Sequence, residues 1–177
     1  MSTFQIRTPA PAEAAQVAAF MRTCYLAAYG HVASAEDTAD HLAKAYGDEL
    51  VAAGLADDTM RFLIVTRELD DGQRIDAGYA WLVKAEAPEP LRARLAVELR
   101  RFFLHPDSIG SGAAEPLMAA LLDQARQWCA DGVFLSVWKE SPRAIRFYGR
   151  QGFRACATVH FSIGSAHYDD WLMWRTV

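Results

Sequence analysis

Val17, Phe20, Met21, Cys24 and Ala28 recur at helical spacing and predict an amphipathic helix that stops near Gly30. Ahead of it, "FQIR" (4–7) reads as a short strand and "TPAP" as a break. Ser34 with Asp37 resembles a cap, Asp standing in for the usual Glu or Gln, and predicts a second helix to about Tyr46. A shorter helix follows over 48–53. "MRFLIVTRE" (60–68) and "RIDAGYAWLVKAE" (74–86) are rich in β-formers and flank the turn "DDGQ", which predicts a hairpin. After the loop "APEPLR", "LAVELRRFFL" (95–104) predicts a longer strand. A glycine-containing loop then leads into a long helix over about 112–130. Leu117, Leu121, Ala125 and Trp128 lie on one face of it, widened by Met118, Leu122 and Cys129. "GVFLSVW" (132–138) predicts a buried strand. Ser141 and Pro142 occupy cap and first-turn positions of a helix to Arg150. "GFRACATVHFSIG" and "YDDWLMWRTV" close the chain as two strands with a turn between them. The order is βααββ, β-loop-α, β-α and ββ, without repeats or a linker, so one α/β domain spans 1–177.

Composition narrows the setting. A chain of 177 residues can bury a substantial core. With 52% hydrophobic and 23% charged residues, it is neither disordered nor fibrous. A net charge of −4 argues against nucleic acid as a partner and favours neutral or cationic ligands. No uncharged apolar run is long enough to span a bilayer, and "MSTFQIRTPAPAEAA" lacks the basic segment and apolar core of a signal peptide. The expectation is a cytoplasmic protein with no membrane partner. Cys24, Cys129 and Cys156 are far apart and form no CxxC, so they read as reduced core thiols.

Candidate chemistry enters with "HPDSIGSGAAEP" (105–116), which sets two glycines and two alanines between a strand and a helix. Small residues let main-chain N–H groups approach a guest, and a helix start adds positive potential, so an anion is the natural guest. A Walker A loop ends in Gly-Lys-Ser/Thr, and this stretch has no lysine. A dinucleotide fingerprint begun at Gly110 needs a third glycine where Glu115 stands. A plain tight turn and a different diphosphate cradle remain.

The flanks decide between them. "ELRRFFLHPDSIGSGAAEPLMAALLDQA", then "VFLSVWKESPRAIRFYGRQGF", then "FSIG…DDWLMWR" resembles the GNAT superfamily of acetyl-CoA-dependent N-acetyltransferases. The first block resembles that family's Gln/Arg-x-x-Gly-x-Gly/Ala loop, and "AIRFYGRQGF" (144–153) its A-x-x-F-Y-x-x-x-G-F segment. The resemblance implies a single domain with a mixed, mostly antiparallel central sheet flanked by helices. It implies that Gly110, Ser111, Gly112, Ala113, Ala114 and Glu115 surround the pyrophosphate of acetyl-CoA. Ile109 stands where the family prefers Gln or Arg. Phe102, Phe103 and Leu104 would pair their backbone with the pantetheine amides, as an added strand pairs with a sheet edge. Tyr148 would protonate the departing thiolate; the competing role is a packed helix tyrosine. Glu98, eleven residues before Ile109, would deprotonate the amine, because a protonated amine has no lone pair with which to attack. Alternation places Arg100 on the same face, so a Glu98–Arg100 ion pair is an equal alternative. Ser141 is either a helix cap or a cofactor contact, and His105 reads as surface. Neither a metal nor a covalent enzyme intermediate is implied.

The tail and "CYLAAYG" resemble the bacterial spermidine/spermine branch, which implies a small-molecule, cationic amine acceptor. Glu36, Asp37 and Asp40, or Asp169 and Asp170, are its candidate partners, with Tyr25 and Tyr29 for cation–π contact. A protein N-terminus, an amine antibiotic and a non-catalytic acyl-CoA sensor are the alternatives, and a homodimer is compatible with each.

Overall fold

The Ser34 hydroxyl accepts the Asp37 N–H at 3.0 Å and donates to the Asp37 carboxylate at 2.9 Å, starting a helix where the spacing predicts one. The structure is a computed structural model that describes residues 3–163 and 166–177. Its elements are β1 (Phe4–Arg7), α1 (Ala14–Tyr29), α2 (Ala35–Ala45), α3 (Asp48–Ala56), β2 (Met60–Glu68), β3 (Arg74–Ala85) and β4 (Ala96–Leu104). They continue with α4 (Ala114–Gln127), β5 (Gly132–Trp138), α5 (Pro142–Arg150), β6 (Arg154–Ile163) and β7 (Ala166–Thr176). Seven strands form one sheet in the order β1-β2-β3-β4-β5-β7-β6. The β4–β5 pair is parallel, whereas β1–β2, β5–β7 and β6–β7 are antiparallel. The expected mixed α/β architecture is therefore present. The predicted turn between Gly164 and Tyr168 is shortened by β7, which starts at Ala166, and residues 164–165 lie outside the described residues.

The chain divides into two compact units. The first runs up to Trp81 and includes Arg101–Leu121. Its core holds Val17, Ala18, Met21 and Cys24 of α1 together with Phe62 and Ile64 of β2. Phe62 stacks on Trp81 at 4.4 Å, and Tyr79 on Phe103 at 5.7 Å. The inward face of α1 ends differently from its predicted pattern: Ala28 is exposed, and Tyr25 takes the buried position one turn after Met21. An aromatic ring there removes far more apolar surface from water than a methyl group does.

The second unit comprises Leu82–Arg100 and the chain from Leu122 onward. Its strand β5 alternates instead of being buried throughout: Val133, Leu135 and Val137 are buried, Phe134 and Trp138 half-buried, and Ser136 exposed. Successive strand side chains point to opposite faces, so a strand covered on one face buries every second residue. Helix α4 ends at Gln127, short of the predicted stop, and Cys129 adopts a left-handed φ of 54°. That conformation cannot continue a helix, and it leaves the thiol exposed. Cys156, where the β6–β7 register shifts between Ala155 and Ala157, is exposed too. Only Cys24 is the predicted core thiol, and burial pushes its pKa up to about 12.

Candidate active site

The loop before α4 is built from backbone. A short 3-10 turn, Pro106–Ser108, is followed by Gly110 and Gly112 with φ of 81° and 92°, values that L side chains rarely adopt. A Cβ added at Gly110 would meet nothing within 4 Å, and one at Gly112 only the Phe4 ring at 3.7 Å. The glycines thus leave room above the main chain. The first backbone bond at the start of α4 joins Leu117 N–H to the Ala113 carbonyl. The N–H groups before it have no acceptor one turn back and carry the positive end of the helix dipole. Ser111 differs from its neighbours, since its N–H and its hydroxyl both go to the Ser108 carbonyl, at 3.2 and 2.7 Å. The Ser108 hydroxyl is fully buried and has no hydrogen-bond partner among the described residues. Ala113 is buried, while Glu115 and Ile109 are exposed, so neither side chain is held in place by packing. This cradle fits a diphosphate held by main-chain donors.

In the same unit, Phe102, Phe103 and Leu104 end β4 half-buried. Phe103 packs against Tyr79, Tyr25 and Tyr29, so its ring belongs to an aromatic cluster and only its backbone is open to a cofactor role. His105 donates its backbone N–H to the Ala77 carbonyl and stacks on Phe20 at 6.1 Å. It is therefore a packed residue. The sequence reading missed Arg101, whose guanidinium lies 4.5 Å from the Tyr46 ring and 5.6 Å from the Trp81 ring. Burial, and then the Arg101 charge, lower the pKa of His41 beside it. Tyr25 is buried among Tyr29, His41, Tyr46 and Phe103. The cation in this cluster, Arg101, lies over Tyr46 and Trp81, while Tyr25 is buried among the other rings. Alternation could have found Arg101, since it shares a β4 face with Phe103.

In the second unit, β4 pairs with β5 over three positions, Ala96–Gly132, Val97–Val133 and Glu98–Phe134. Glu98 accepts from Arg100 Nε at 3.1 Å and Nη2 at 2.8 Å, so the ion-pair alternative is present in the structure. Tyr148 is buried on α5, its ring edge-on to Phe147 at 5.6 Å and Phe153 at 5.8 Å. Ser141 occupies the N-cap position of α5 but makes no side-chain cap bond, so capping does not account for its hydroxyl.

The acidic candidates separate clearly. Glu36 and Asp40 are exposed on α2 and Asp37 is half-buried, with Asp37 bound to Ser34 and Asp40 to Lys44 at 2.7 Å. Asp169 meets His160 at 2.8 Å and Lys139 at 3.7 Å. Asp170 is buried, and burial, with the neighbouring Asp169 charge, raises its pKa from the ordinary carboxylate value, Ser136 and Lys139 opposing.

Known proteins resemble this chain in sequence and in fold. Residues 19–153 match the model of the acetyltransferase (GNAT) family. Uncharacterized N-acetyltransferases of Mycobacterium bovis and Mycobacterium tuberculosis are 34% identical over 139 residues, covering 77% of this chain and 82% of theirs. PaiA N-acetyltransferase from Thermoplasma acidophilum, solved with coenzyme A, superposes with a TM-score of 0.76 at 17% identity over 99% of both chains. Mutant forms of the spermidine/spermine N-acetyltransferase SpeG from Vibrio cholerae give 0.63 at 18% identity, over 98% of this chain and 95% of theirs. The backbone cradle at the start of α4, the seven-stranded sheet and these matches agree: the chain is an acyltransferase and belongs to the GNAT family of acetyltransferases.

Proposed function

We propose that the protein acetylates a small primary amine by direct attack within a ternary complex with acetyl-CoA. The observation that carries this reading is the open loop at Gly110 and Gly112, which presents the α4 N-terminus to an anion. When bound there, acetyl-CoA supplies the thioester whose acetyl group is transferred. Backbone N–H groups of Gly112, Ala113, Ala114 and Glu115 hold the diphosphate in this assignment, and the backbone of 102–104 lines the pantetheine. Ser141, with no capping bond of its own, is a second polar contact. Glu98 takes a proton from the ammonium form of the acceptor, which frees the nitrogen lone pair. The amine nitrogen then bonds to the acetyl carbon as the carbon–sulfur bond breaks, and the Tyr148 hydroxyl delivers a proton to the departing sulfur. Release of Glu98 from Arg100 accompanies acceptor binding in this scheme. The net charge of −4 and the resemblance of the tail support a cationic acceptor.

Calorimetric titration with acetyl-CoA, together with CoA release over a panel of mono-, di- and polyamines, tests the reading. Micromolar binding with amine-dependent CoA release is the expected result. Tight binding with no release for any amine would overturn the proposed acceptor class.

A further inference from the structure

Glu98 sits on the last rung of a short ladder. The parallel strands β4 and β5 pair over three positions, although β4 has nine residues and β5 seven. On its other side β5 is held by seven antiparallel positions, from Gly132–Thr176 to Trp138–Asp170. Gly132 tightens that contact, because a Cβ there would clash with the Arg175 carbonyl oxygen and the Trp174 ring. The β5–β7 pair is therefore firmly registered, whereas three parallel rungs hold β4 to β5 weakly.

One side chain extends the weak ladder. Leu95 and Asp131 occupy the position before its first rung, Ala96–Gly132. The Asp131 N–H donates to the Leu95 carbonyl at 2.9 Å. Asp131 Oδ2 accepts from the Leu95 N–H at 3.0 Å and from the Arg94 N–H at 2.6 Å. The Asp131 carbonyl accepts from the Val177 N–H at 3.3 Å, so one residue ties the start of β4 to the chain just past β7. The N–H groups of Leu95 and Arg94 hold the Asp131 carboxyl below its ordinary pKa, which keeps it ionised at neutral pH. Asp131 is exposed, so this is a bonding role and not a packing one.

The consequence falls on Glu98. Its carboxylate is placed by the strand that carries it, and a movement of β4 along β5 moves it by the same amount. We infer that Asp131 is a positioning residue for acetyl transfer: by clamping Arg94 and Leu95 it fixes the β4–β5 register and, through it, Glu98. The inference rests on the acetyltransferase reading with proton removal at Glu98. Because β3 flanks β4 on its other side, loss of the clamp loosens the three rungs without releasing the strand.

Steady-state kinetics at saturating acetyl-CoA test it, with the fastest amine of the mono-, di- and polyamine panel. Asp131→Ala should lower kcat by about 10-fold, as expected when a reacting group is displaced by less than about 1 Å, while acetyl-CoA affinity changes by about twofold or less. Asp131→Asn, whose side-chain carbonyl still accepts both N–H groups, should keep at least about half of the wild-type kcat. The deciding measurement is the double-mutant cycle with Glu98→Gln. In that background Asp131→Ala should lower kcat by about twofold or less, because the group it positions is gone. Additive losses would overturn the inference, since Asp131 would then act without Glu98, and so would an Asp131→Ala variant with wild-type kcat. Should that variant fail to melt cooperatively, Asp131→Ser, which keeps a single acceptor, carries the same cycle. Wild-type kcat in Glu98→Gln alone would instead remove the base on which the inference rests.

Discussion

The loop at 109–113 and the face of β5 and β7 that carries Asp170 both handle charge, but they are made of different material. The loop works with main chain: two left-handed glycines open a space, and the α4 terminus supplies donors whatever side chains surround it. The β5–β7 face works with side chains, a buried carboxyl paired across the strands with Trp138, whose ring meets Tyr168. A site of the first kind tolerates side-chain change as long as the backbone conformation survives. A site of the second kind depends on the identity of one residue.

Substitutions can break or sharpen that contrast. The largest effect belongs to neither surface: Tyr148→Phe should lower kcat by ~10²–10⁴-fold, the usual worth of a positioned acid, with acetyl-CoA affinity unchanged by calorimetry. An unaltered kcat would make Tyr148 a packing residue between Phe147 and Phe153. Glu98→Gln should lower kcat by about 100-fold near pH 7, with the deficit shrinking at high pH as free amine accumulates. Were the Arg100 pair its whole role, the variant would keep full activity and lose ~1 kcal/mol of stability at most.

At the loop, Gly112→Val should weaken acetyl-CoA binding by at least ~10-fold and cost ~1–2 kcal/mol of stability, because a side chain is strained at that φ. Ile109→Gln, by contrast, should change the affinity by about fivefold or less, since one added hydrogen bond contributes little where backbone carries the binding. A large gain from glutamine would mean that side chains, not main chain, dominate the cradle.

The smallest effect is on stability at β7. The folded-state pKa of Asp170 is raised, so the stability it contributes is full below its unfolded pKa and is lost as pH rises through the folded value. At pH 8 the ionised carboxylate, buried next in sequence to the Asp169 charge with Lys139 and Ser136 opposing, is a liability. Asp170→Asn should then melt at or above the wild type, by up to ~2–4 °C, about 1 kcal/mol for a chain of this size. The gain should vanish once the pH falls below the carboxylate range. A melting point well below wild type at pH 8 would show Asp170 to be a structural anchor instead.

The same contrast explains what could be read in advance. Glycine spacing exposes a backbone site because few other residues adopt those φ values, and the helix that follows is visible as an apolar stripe. That Glu98 lies on a strand and Tyr148 on a helix was legible from residue pattern, but the choice between base and ion pair for Glu98 depends on side-chain geometry that spacing leaves open. Asp169 and Asp170 are indistinguishable as letters. The strand registers separate them, setting Asp169 opposite His160 on β6 and the buried Asp170 opposite Trp138 on β5. Cys129 was misread for a similar reason: the helical stripe extends to it in sequence, but the chain leaves the helix two residues earlier.

That early exit has a bench-side consequence. Cys129 and Cys156 both present exposed thiols, while the buried Cys24, with its pKa near 12, supplies almost no thiolate. A thiol-reactive dye used to follow CoA release will therefore consume two equivalents per chain before any turnover, an offset that rises with enzyme concentration. Without reductant, the same two sulfurs can join chains covalently. A dimer band under such conditions would report air oxidation, and replacing both residues with serine would give a chain whose dye signal comes from coenzyme alone.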